Sequence, residues 1–393
     1  MEIIDKISRY HDEMTAWRRD IHAHPELGFE ERRTSDLVAE KLAQFGCEVH
    51  RGLGKTGVVG SLRVGHGTRS VGLRADMDAL PIHELNDFGH RSTHDGTMHA
   101  CGHDGHTTML LGAARYLAET RNFDGQVHFI FQPAEEGVGG AKAMIKDGLF
   151  QRFPCDVIFA IHNRPSLAVG KFAVRAGPIT AGGGFFDIDI KGVGAHGARP
   201  ESGIDPVLIA AHVTTALQSI VSRNVHPLEA AVVSVTKIVA GDAYNVIPST
   251  ARLSGTVRAF STPALDLMEA NLVRISEGVA AAMGATAEVD FRMIFVPTVN
   301  DIQEAEFAAR VCGEMVGAEN VARDPALAMG SEDFSFMLHE VPGCYINIGN
   351  GGEDGVGVCE VHNPSYDFND AALPLGASFF AHLVERRLAG DGL

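Results

Sequence analysis

The feature that most constrains the fold is the order of strand-like and helix-like segments along the chain. In the first half, short apolar strand candidates lie at 57–64, 70–75, 126–131 and 156–161. Between and around them, helical periodicity occupies 31–46 and 104–119. Strands that alternate with helices predict an α/β fold with a doubly wound, mainly parallel sheet. Ligands of such sheets bind beyond the carboxyl ends of the strands, so polar residues at those ends are candidates for a functional site.

A different order begins after the glycine-rich run 176–184, which is typical of a flexible hinge. The segments that follow are a strand at 185–191, a helix at 205–222, strands at 231–239 and 250–260, a helix at 262–283 and a strand at 287–296. This β-α-β-β-α-β order is that of a ferredoxin-like unit. We therefore predict a discontinuous catalytic domain, 1–181 and 297–393, that carries an inserted domain at 182–296.

Composition excludes several classes of partner. The 393 residues contain 33 Lys+Arg against 50 Asp+Glu, a formal charge of −17. Nucleic acids and anionic membranes need a basic face, so neither is expected as a partner. Asp5 and Lys6 stand where a signal peptide would need an apolar run, and no segment is apolar enough to span a membrane. Six scattered cysteines form no disulfide framework, which favours a cytoplasmic protein.

Histidine is the unusual residue: the chain has 19, and six of them lie between His83 and His106. Within this stretch, Cys101 and His103 are one residue apart in MHACGHDGH. In an extended segment, side chains at that spacing point the same way. Thiolate and imidazole together suit zinc or another divalent transition metal. A buried cysteine in a histidine-rich loop is an equally good interpretation of this segment taken alone.

Further candidate ligands follow other strands. Glu135 and Glu136 come directly after the strand at 126–131, and His162 directly after the strand at 156–161. Of two adjacent glutamates, one can bind a metal while the other remains a general base for metal-bound water. Late in the chain, His362 lies in CEVHNP. Asp76, which follows the strand at 70–75, is a candidate to orient a ligand histidine.

Taken together, five candidate ligands at successive strand ends indicate a centre with two metals and a bridging water, as in co-catalytic aminopeptidases. The five are Cys101, His103, Glu136, His162 and His362. Two alternatives of other classes stay open. A cysteine-nucleophile amidase built on Cys101 would be inactivated by thiol alkylation and indifferent to chelators. A non-enzymatic metal-binding protein would have no need for the spare carboxylate of Glu135.

These residues, in this order, resemble a family of dinuclear metallohydrolases that includes hippurate hydrolases and indoleacetyl-amino-acid hydrolases, within the aminoacylase and carboxypeptidase group. The similarity runs from Arg19 to the final helix. Its motifs are RADMDALP (74–81), MHACGHDGH (98–106), QPAEEG (132–137), GVGAHGARP (192–200), NVIP (245–248), GTVR (255–258), MGSEDFSF (329–336) and VHNP (361–364). Where peptidases of the wider group have a bridging aspartate, this chain has Cys101, which places it in the amidohydrolase branch.

The resemblance implies a role for each residue of these motifs. The metal ligands would be the five residues named above, with Glu135 as the base. His196 would stabilise the oxyanion, and Asn245 and Arg258 would hold the substrate's carboxylate or carbonyl group. The inserted domain would act as a lid and would form a homodimer, with a tetramer as a further possibility. Two divalent ions per subunit are implied, zinc or manganese, with cobalt or nickel as alternatives.

The sequence thus predicts metal-dependent hydrolysis of the amide bond of N-acetyl, N-benzoyl or similar N-acyl amino acids. Metal-activated water would attack the amide, and Glu135 would act as general base. A dipeptidase or aminopeptidase with the same metal centre is the alternative. Those substrates carry a free amine that calls for an acidic group, and Glu332 or Asp333 is available in the sequence.

Overall fold

The computed structural model describes residues 3–389. Its α-helices are α1 Ile3–Ile7, α2 His11–Ala23, α3 Arg32–Gln44, α4 His103–Thr120, α5 Gly140–Lys146, α6 Leu149–Arg152, α7 Pro206–Leu217, α8 Thr262–Ala282, α9 Ile302–Val316, α10 Phe334–Glu340 and α11 Leu373–Arg387. Side-chain caps begin several of them. Asp205, for example, accepts a hydrogen bond from the backbone N–H of Val207, and Pro206 occupies the first helical position. Both features satisfy or remove orphan donors of the first turn.

The β-strands are β1 Glu48–Leu53, β2 Gly57–Val64, β3 Ser70–Asp76, β4 Gly125–Gln132, β5 Val157–Ala168, β6 Phe172–Ala173, β7 Gly177–Thr180, β8 Gly182–Lys191, β9 Ala195–His196, β10 Ala231–Ala240, β11 Val246–Ile247, β12 Thr250–Ala259, β13 Thr286–Phe295, β14 Thr298–Asn300, β15 Val321–Ala322 and β16 Gly343–Gly351. The described chain forms two compact units. The first contains residues 3–177, 299–326 and 333–389, and the second contains residues 178–298 and 327–332.

The first unit is built on an eight-stranded sheet of order β1-β2-β4-β3-β5-β16-β6-β15. Its centre, β4-β3-β5-β16, is parallel, while β1 and β2 extend one edge in antiparallel pairing. The predicted mainly parallel α/β architecture is confirmed. Strand β1, EVHRGL, lies at the edge of the sheet, where five of its six residues are exposed or only partly buried. Its sequence therefore has little apolar character.

Helices cover both faces of this sheet. Alternate residues of the strands, such as Phe129, Phe159 and Ile346, join one large apolar cluster with residues of α2, α3, α4, α9 and α11. Intervening positions point to the opposite face, as strand geometry requires. There the ring of Tyr345 lies 6.2 Å from that of Phe334 in α10. The core therefore has the layered arrangement expected of an α/β unit.

The second unit contains a four-stranded antiparallel sheet of order β10-β12-β8-β13. With helices α7 and α8 between the strands, its chain order is β-α-β-β-α-β, as predicted for the inserted domain. Alternate strand residues such as Ile188 and Leu253 are buried with Val213 of α7 and Leu272 of α8. This apolar cluster is the unit's own core.

The glycine-rich run 176–184 forms strands rather than a loop, and the boundary between the two units, at Gly177 and Pro178, falls within it, so that its role as a hinge stays a prediction. Its residues lie largely in β7 and β8. The glycines are needed because neighbouring strands approach closely. A Cβ on Gly183 would lie 2.3 Å from the carbonyl oxygen of Val257, and one on Gly184 would lie 2.4 Å from that of Arg292.

No helix within residues 3–389 combines the length and the apolar character needed to cross a membrane.

Candidate metal centre

The parallel strands of the first unit bring several predicted site residues to one edge of the sheet. Asp76, the last residue of β3, is paired with Gln132, the last residue of β4. On the other side, Arg74 of β3 is paired with Ala160 of β5, so that His162 lies two residues further along β5. Parallel strands therefore align Asp76, the start of the Glu135 loop and His162 without help from loop conformation.

Cys101 and His103 join this edge through a turn rather than an extended segment. Gly102 between them has φ +93°, and His103 is the first residue of α4. A Cβ on Gly102 would lie 2.3 Å from Oδ1 of Asn163, so both the backbone conformation and the space demand glycine. The expectation of an extended segment is wrong, but the thiol and the imidazole still converge.

Five groups of side chains among residues 3–389 each place three potential ligand atoms within 4.8 Å of one another, and three overlapping groups of the five consist entirely of predicted ligands and the predicted base. These three groups are Cys101, His103 and His162; Cys101, Glu136 and His362; and His103, Glu135 and Glu136. Sγ of Cys101 lies 3.4 Å from Nε2 of His162, and Nε2 of His362 lies 3.2 Å from Oε1 of Glu136. The structure thus gathers all five predicted ligands and the predicted base into one cluster.

The donor set fits a divalent metal. Nδ1 of His103 lies 2.9 Å from the carbonyl oxygen of Asp78, which can only accept, so this nitrogen is the donor. Nε2 of the same ring is buried and has no hydrogen-bond partner among the residues from 3 to 389. A buried imidazole nitrogen without a partner, among thiol and carboxylate groups, destabilises the fold unless a metal ion binds to it.

The loops that carry Glu135 and His362 have unusual backbone conformations. Ala134 has φ +53° and His362 has φ +64°, a region that residues other than glycine seldom occupy. The backbone N–H of Ala134 donates to Oε1 of Glu31, and that of His362 donates to the carbonyl oxygen of Ala100. Such conformations persist where surrounding bonds fix them, and they concentrate at functional sites.

The remaining predicted residues lie in the second unit. His196 in β9 is paired with Val246 in β11, so Asn245 is adjacent to it, and both side chains are exposed. Arg258 lies in β12, half-buried. Within the described chain its guanidinium donates only to neutral groups, Oγ1 of Thr256 at 2.6 Å and the carbonyl oxygen of Val257 at 2.7 Å. Burial lowers the pKa of Arg258, and an anionic partner would reverse that effect.

Comparison with known proteins identifies the family. Residues 72–386 match the model of peptidase family M20/M25/M40. The chain belongs to this family. It is 42% identical to hippurate hydrolase of Campylobacter jejuni, over 99% of this chain and 100% of that protein. It is also 42% identical to an IAA-amino acid hydrolase of Arabidopsis thaliana, over 98% of this chain and 87% of that protein.

A solved structure from Bacillus subtilis, described as a dinuclear metal-binding peptidase of the M20 family, superimposes with a TM-score of 0.85. It is 33% identical and covers 97% of this chain and 99% of its own. The predicted resemblance is confirmed, and the M20 chain is a metal-dependent amidohydrolase that uses divalent metal.

The electrostatics of this M20 centre disfavour the cysteine-nucleophile alternative. Burial raises the pKa of the Cys101 thiol, and the nearby Glu136 carboxylate raises it further. A nucleophilic cysteine needs the opposite shift. Burial, together with the nearby His106, lowers the pKa of His162 to about 3, so this imidazole is neutral. A neutral imidazole is the form that binds metal.

Sequence reasoning missed one residue that contacts this M20 centre, Asp78. Besides its carbonyl, Asp78 offers Oδ1 at 3.2 Å from Nδ1 of His103, and its Oδ2 accepts from the backbone N–H of Glu136 at 3.0 Å. Asp76, predicted for this role, instead accepts from Nδ1 of His106 at 2.6 Å and lies 3.8 Å from Nε2 of His103. The sequence shows both aspartates of RADMDALP, but the turn after β3 determines which histidine each of them contacts.

Proposed function

We propose that this enzyme hydrolyses the amide bond of N-acyl amino acids, releasing a carboxylic acid and a free amino acid. The observation that carries the proposal is the division of labour between two adjacent glutamates. Glu136 faces His362, whereas Oε1 of Glu135 accepts from the backbone N–H of Asp333 at 3.3 Å. Glu135 is buried beside the candidate ligands, the position that a general base requires.

The five ligands that we assign are Cys101, His103, Glu136, His162 and His362. They form overlapping groups with Cys101 in common, an arrangement suited to two divalent ions per subunit. Divalent ions bound there would polarise the amide carbonyl and lower the pKa of bound water. The thiolate favours zinc, and the imidazole and carboxylate ligands also suit manganese, cobalt or nickel.

The chain's own groups would then move the protons and hold the substrate. Glu135 takes the proton of the attacking water and delivers it to the leaving nitrogen. His196 donates a hydrogen bond where negative charge develops. Arg258, whose bonds run only to neutral groups within residues 3–389, pairs with the α-carboxylate of the amino acid, and Asn245 contributes an amide beside His196.

The names of the relatives support an acylated substrate, since one designates a hydrolase of hippurate, which is benzoyl-glycine, and the other a hydrolase of IAA-amino acids. Of the two acidic residues that the dipeptidase alternative could use, one is already engaged by other groups. Asp333, a candidate to bind a free amine, accepts hydrogen bonds from Arg74 and Gln132 at Oδ1 and from the backbone N–H of Ala141 at Oδ2. Turnover of benzoyl-glycine compared with unblocked dipeptides separates the two activities.

We also propose a homodimer formed through the second unit, with His196 serving the partner's centre. Strand β10 is an edge of its sheet and exposes Ile238 and Val239, about half of each side chain. Unpaired strand edges readily pair with another chain. If His196 acts across the dimer, mixing inactive His196→Ala with inactive Glu135→Gln subunits restores activity. Absence of any recovery in mixed dimers contradicts this arrangement.

The test of the proposed function is Glu135→Gln, which keeps size and removes the base. With metal content unchanged, turnover of benzoyl-glycine should fall by about 10²- to 10⁴-fold, the usual contribution of general acid–base catalysis. Glu40→Gln, an exposed change on α3, is the matched control and should leave turnover unchanged. Wild-type turnover by a metal-loaded Glu135→Gln enzyme would refute the mechanism.

A further inference from the structure

A buried arginine beside the metal centre has no role in the mechanism described so far. Arg74 of β3 is 1% exposed, and its guanidinium lies among polar side chains, with the ring of Phe334 5.6 Å away. It lies 2.6 Å from Oδ2 of Asp76 and 3.2 Å from Oδ1 of Asp333, and its Nε donates to Oε1 of Gln132 at 2.8 Å. A charge buried so completely is stable only with partners of this kind. The loss of one partner leaves buried charge uncompensated and strongly destabilises the fold.

The Asp333 carboxylate is held from several directions. Its Oδ1 accepts from Arg74 and, at 2.7 Å, from Nε2 of Gln132. Its Oδ2 accepts at 2.9 Å from the backbone N–H of Ala141, in the first turn of α5. Because β3, β4 and α5 supply these donors, the position of Asp333 is fixed by regular elements of the first unit.

The same residue touches the general base. The backbone N–H of Asp333 donates to Oε1 of Glu135 at 3.3 Å. Side-chain bonds to Asp333 therefore determine where this N–H lies, and the N–H in turn determines how one oxygen of Glu135 is oriented. Displacement of a reacting group by about 1 Å can cost on the order of 100-fold in rate.

We propose that Asp333 is a positioning residue for Glu135, and that Arg74 keeps Asp333 in place. The inference rests on the proposed role of Glu135 as general base. Neither residue is among the five assigned metal ligands. Their loss should therefore affect the chemical step more than metal binding or substrate affinity.

The experiment is Asp333→Asn in the metal-loaded enzyme. The amide keeps the shape of the carboxylate, but one of the two oxygens is replaced by an NH₂ group. That group faces a hydrogen-bond donor and cannot accept from it. For benzoyl-glycine we expect kcat to fall by about 10- to 100-fold, with KM within about twofold and metal content unchanged. Asp156→Asn is the matched control, because Asp156 accepts from the backbone N–H and hydroxyl of Ser70 at the opposite end of β3. It should leave kcat unchanged.

A leaving-group comparison separates positioning from a general loss of folded enzyme. A nitrogen leaving group needs the proton that Glu135 delivers, whereas an ester oxygen needs it less. The loss in Asp333→Asn should therefore be larger for benzoyl-glycine than for its ester analogue, O-benzoyl-glycolate. Equal losses on both substrates, or an unchanged kcat, would overturn the proposal.

Arg74→Lys provides a second variant if Asp333→Asn does not fold. It keeps the positive charge but loses the planar fork that reaches three acceptors, so it should show the same kcat-selective loss. An Arg74→Lys enzyme with wild-type kcat on the amide contradicts the proposal. If Glu135→Gln itself retains wild-type activity, the proposed function fails; if Glu135→Gln is inactive while Asp333→Asn is normal, only the positioning role fails.

Discussion

The predicted site residues of the two units differ in how the fold holds them. In the first unit, His103, Glu135 and Asp76 are buried, and each makes a hydrogen bond with another residue of that unit. In the second unit, the side chains of His196 and Asn245 are exposed, and Nδ1 of His196 accepts from the nearby backbone N–H of Ala198. Buried and hydrogen-bonded groups such as those of the first unit are preorganised, whereas substitution of the exposed side chains of the second unit should cost the fold little.

This contrast predicts two kinds of variant. A substitution of one of the five assigned metal ligands in the first unit should change metal binding, stability and activity together, because the same bonds serve all three. A substitution at the exposed positions of the second unit should change activity alone. The difference is measurable whenever turnover, metal content and unfolding are followed on the same preparation.

The largest effect is expected for His103→Ala. It removes the imidazole that two of the three overlapping ligand groups share. Metal content should fall, and turnover of benzoyl-glycine should fall by roughly 10³-fold or more, since metals supply several kcal/mol of transition-state stabilisation. Metal analysis and turnover of one purified sample check both. His66→Ala, at an exposed position of the same unit, is the control. Full metal content with full activity in His103→Ala contradicts the ligand assignment.

The next effect is expected for His196→Ala. Loss of one donor to a developing oxyanion costs about 10²- to 10³-fold in kcat. Because the ring is exposed, the free energy of unfolding should change by less than about 0.5 kcal/mol. Measurement of kcat and of denaturant unfolding on the same sample tests both the expected loss of activity and the expected unchanged stability. A large loss of stability, or unchanged kcat, removes the contrast between the two units.

Much of the fold was predictable, because buried apolar residues recur along the sequence with the period of the strand or helix that contains them. Strand β2 and helices α4 and α8 lie within a residue or two of their predicted bounds. The helix predicted at 205–222 ends earlier, at Leu217, and a short turn of π-helix follows at Ile220–Asn224. Strand β5 runs beyond its prediction, through Pro165, because Ala168 still pairs with Gly351 of β16. Such extensions depend on a partner strand nearly two hundred residues away.

The site was predictable where residue type alone restricts chemistry, and less so where geometry assigns partners. Cysteine, histidine and adjacent glutamates at strand ends identified the cluster. The contact of Asp78 with Nδ1 of His103 was not visible, because it depends on the turn after β3. Nor were the contacts of Arg74 visible, since a buried arginine cannot be told from an exposed one in the sequence. Close approach of Asn163 to Gly102 is likewise a property of packing.

The smallest effect concerns a buried histidine that carries charge in the first unit. Nδ1 of His22 lies 2.8 Å from Asp104, and its Nε2 lies 3.2 Å from Glu84. Burial opposes protonation, but these two carboxylates outweigh it and raise the pKa of His22 from 6.5 to about 9. A raised pKa in the folded state means that the proton stabilises the fold. This contribution is complete below the unfolded pKa and disappears as pH rises through about 9.

Between pH 7 and pH 10 the enzyme should therefore lose roughly 2 to 3 kcal/mol of stability through His22. Fluorescence of Trp17, the single tryptophan and a neighbour in α2, reports urea unfolding of this unit. His22→Gln should be less stable at pH 7 and should lack this part of the pH dependence. His212→Gln, an exposed change in the second unit, should retain it. If His22→Gln and wild type lose the same free energy between the two pH values, then His22 is neutral in the folded protein, and buried charge is not what distinguishes the first unit from the second.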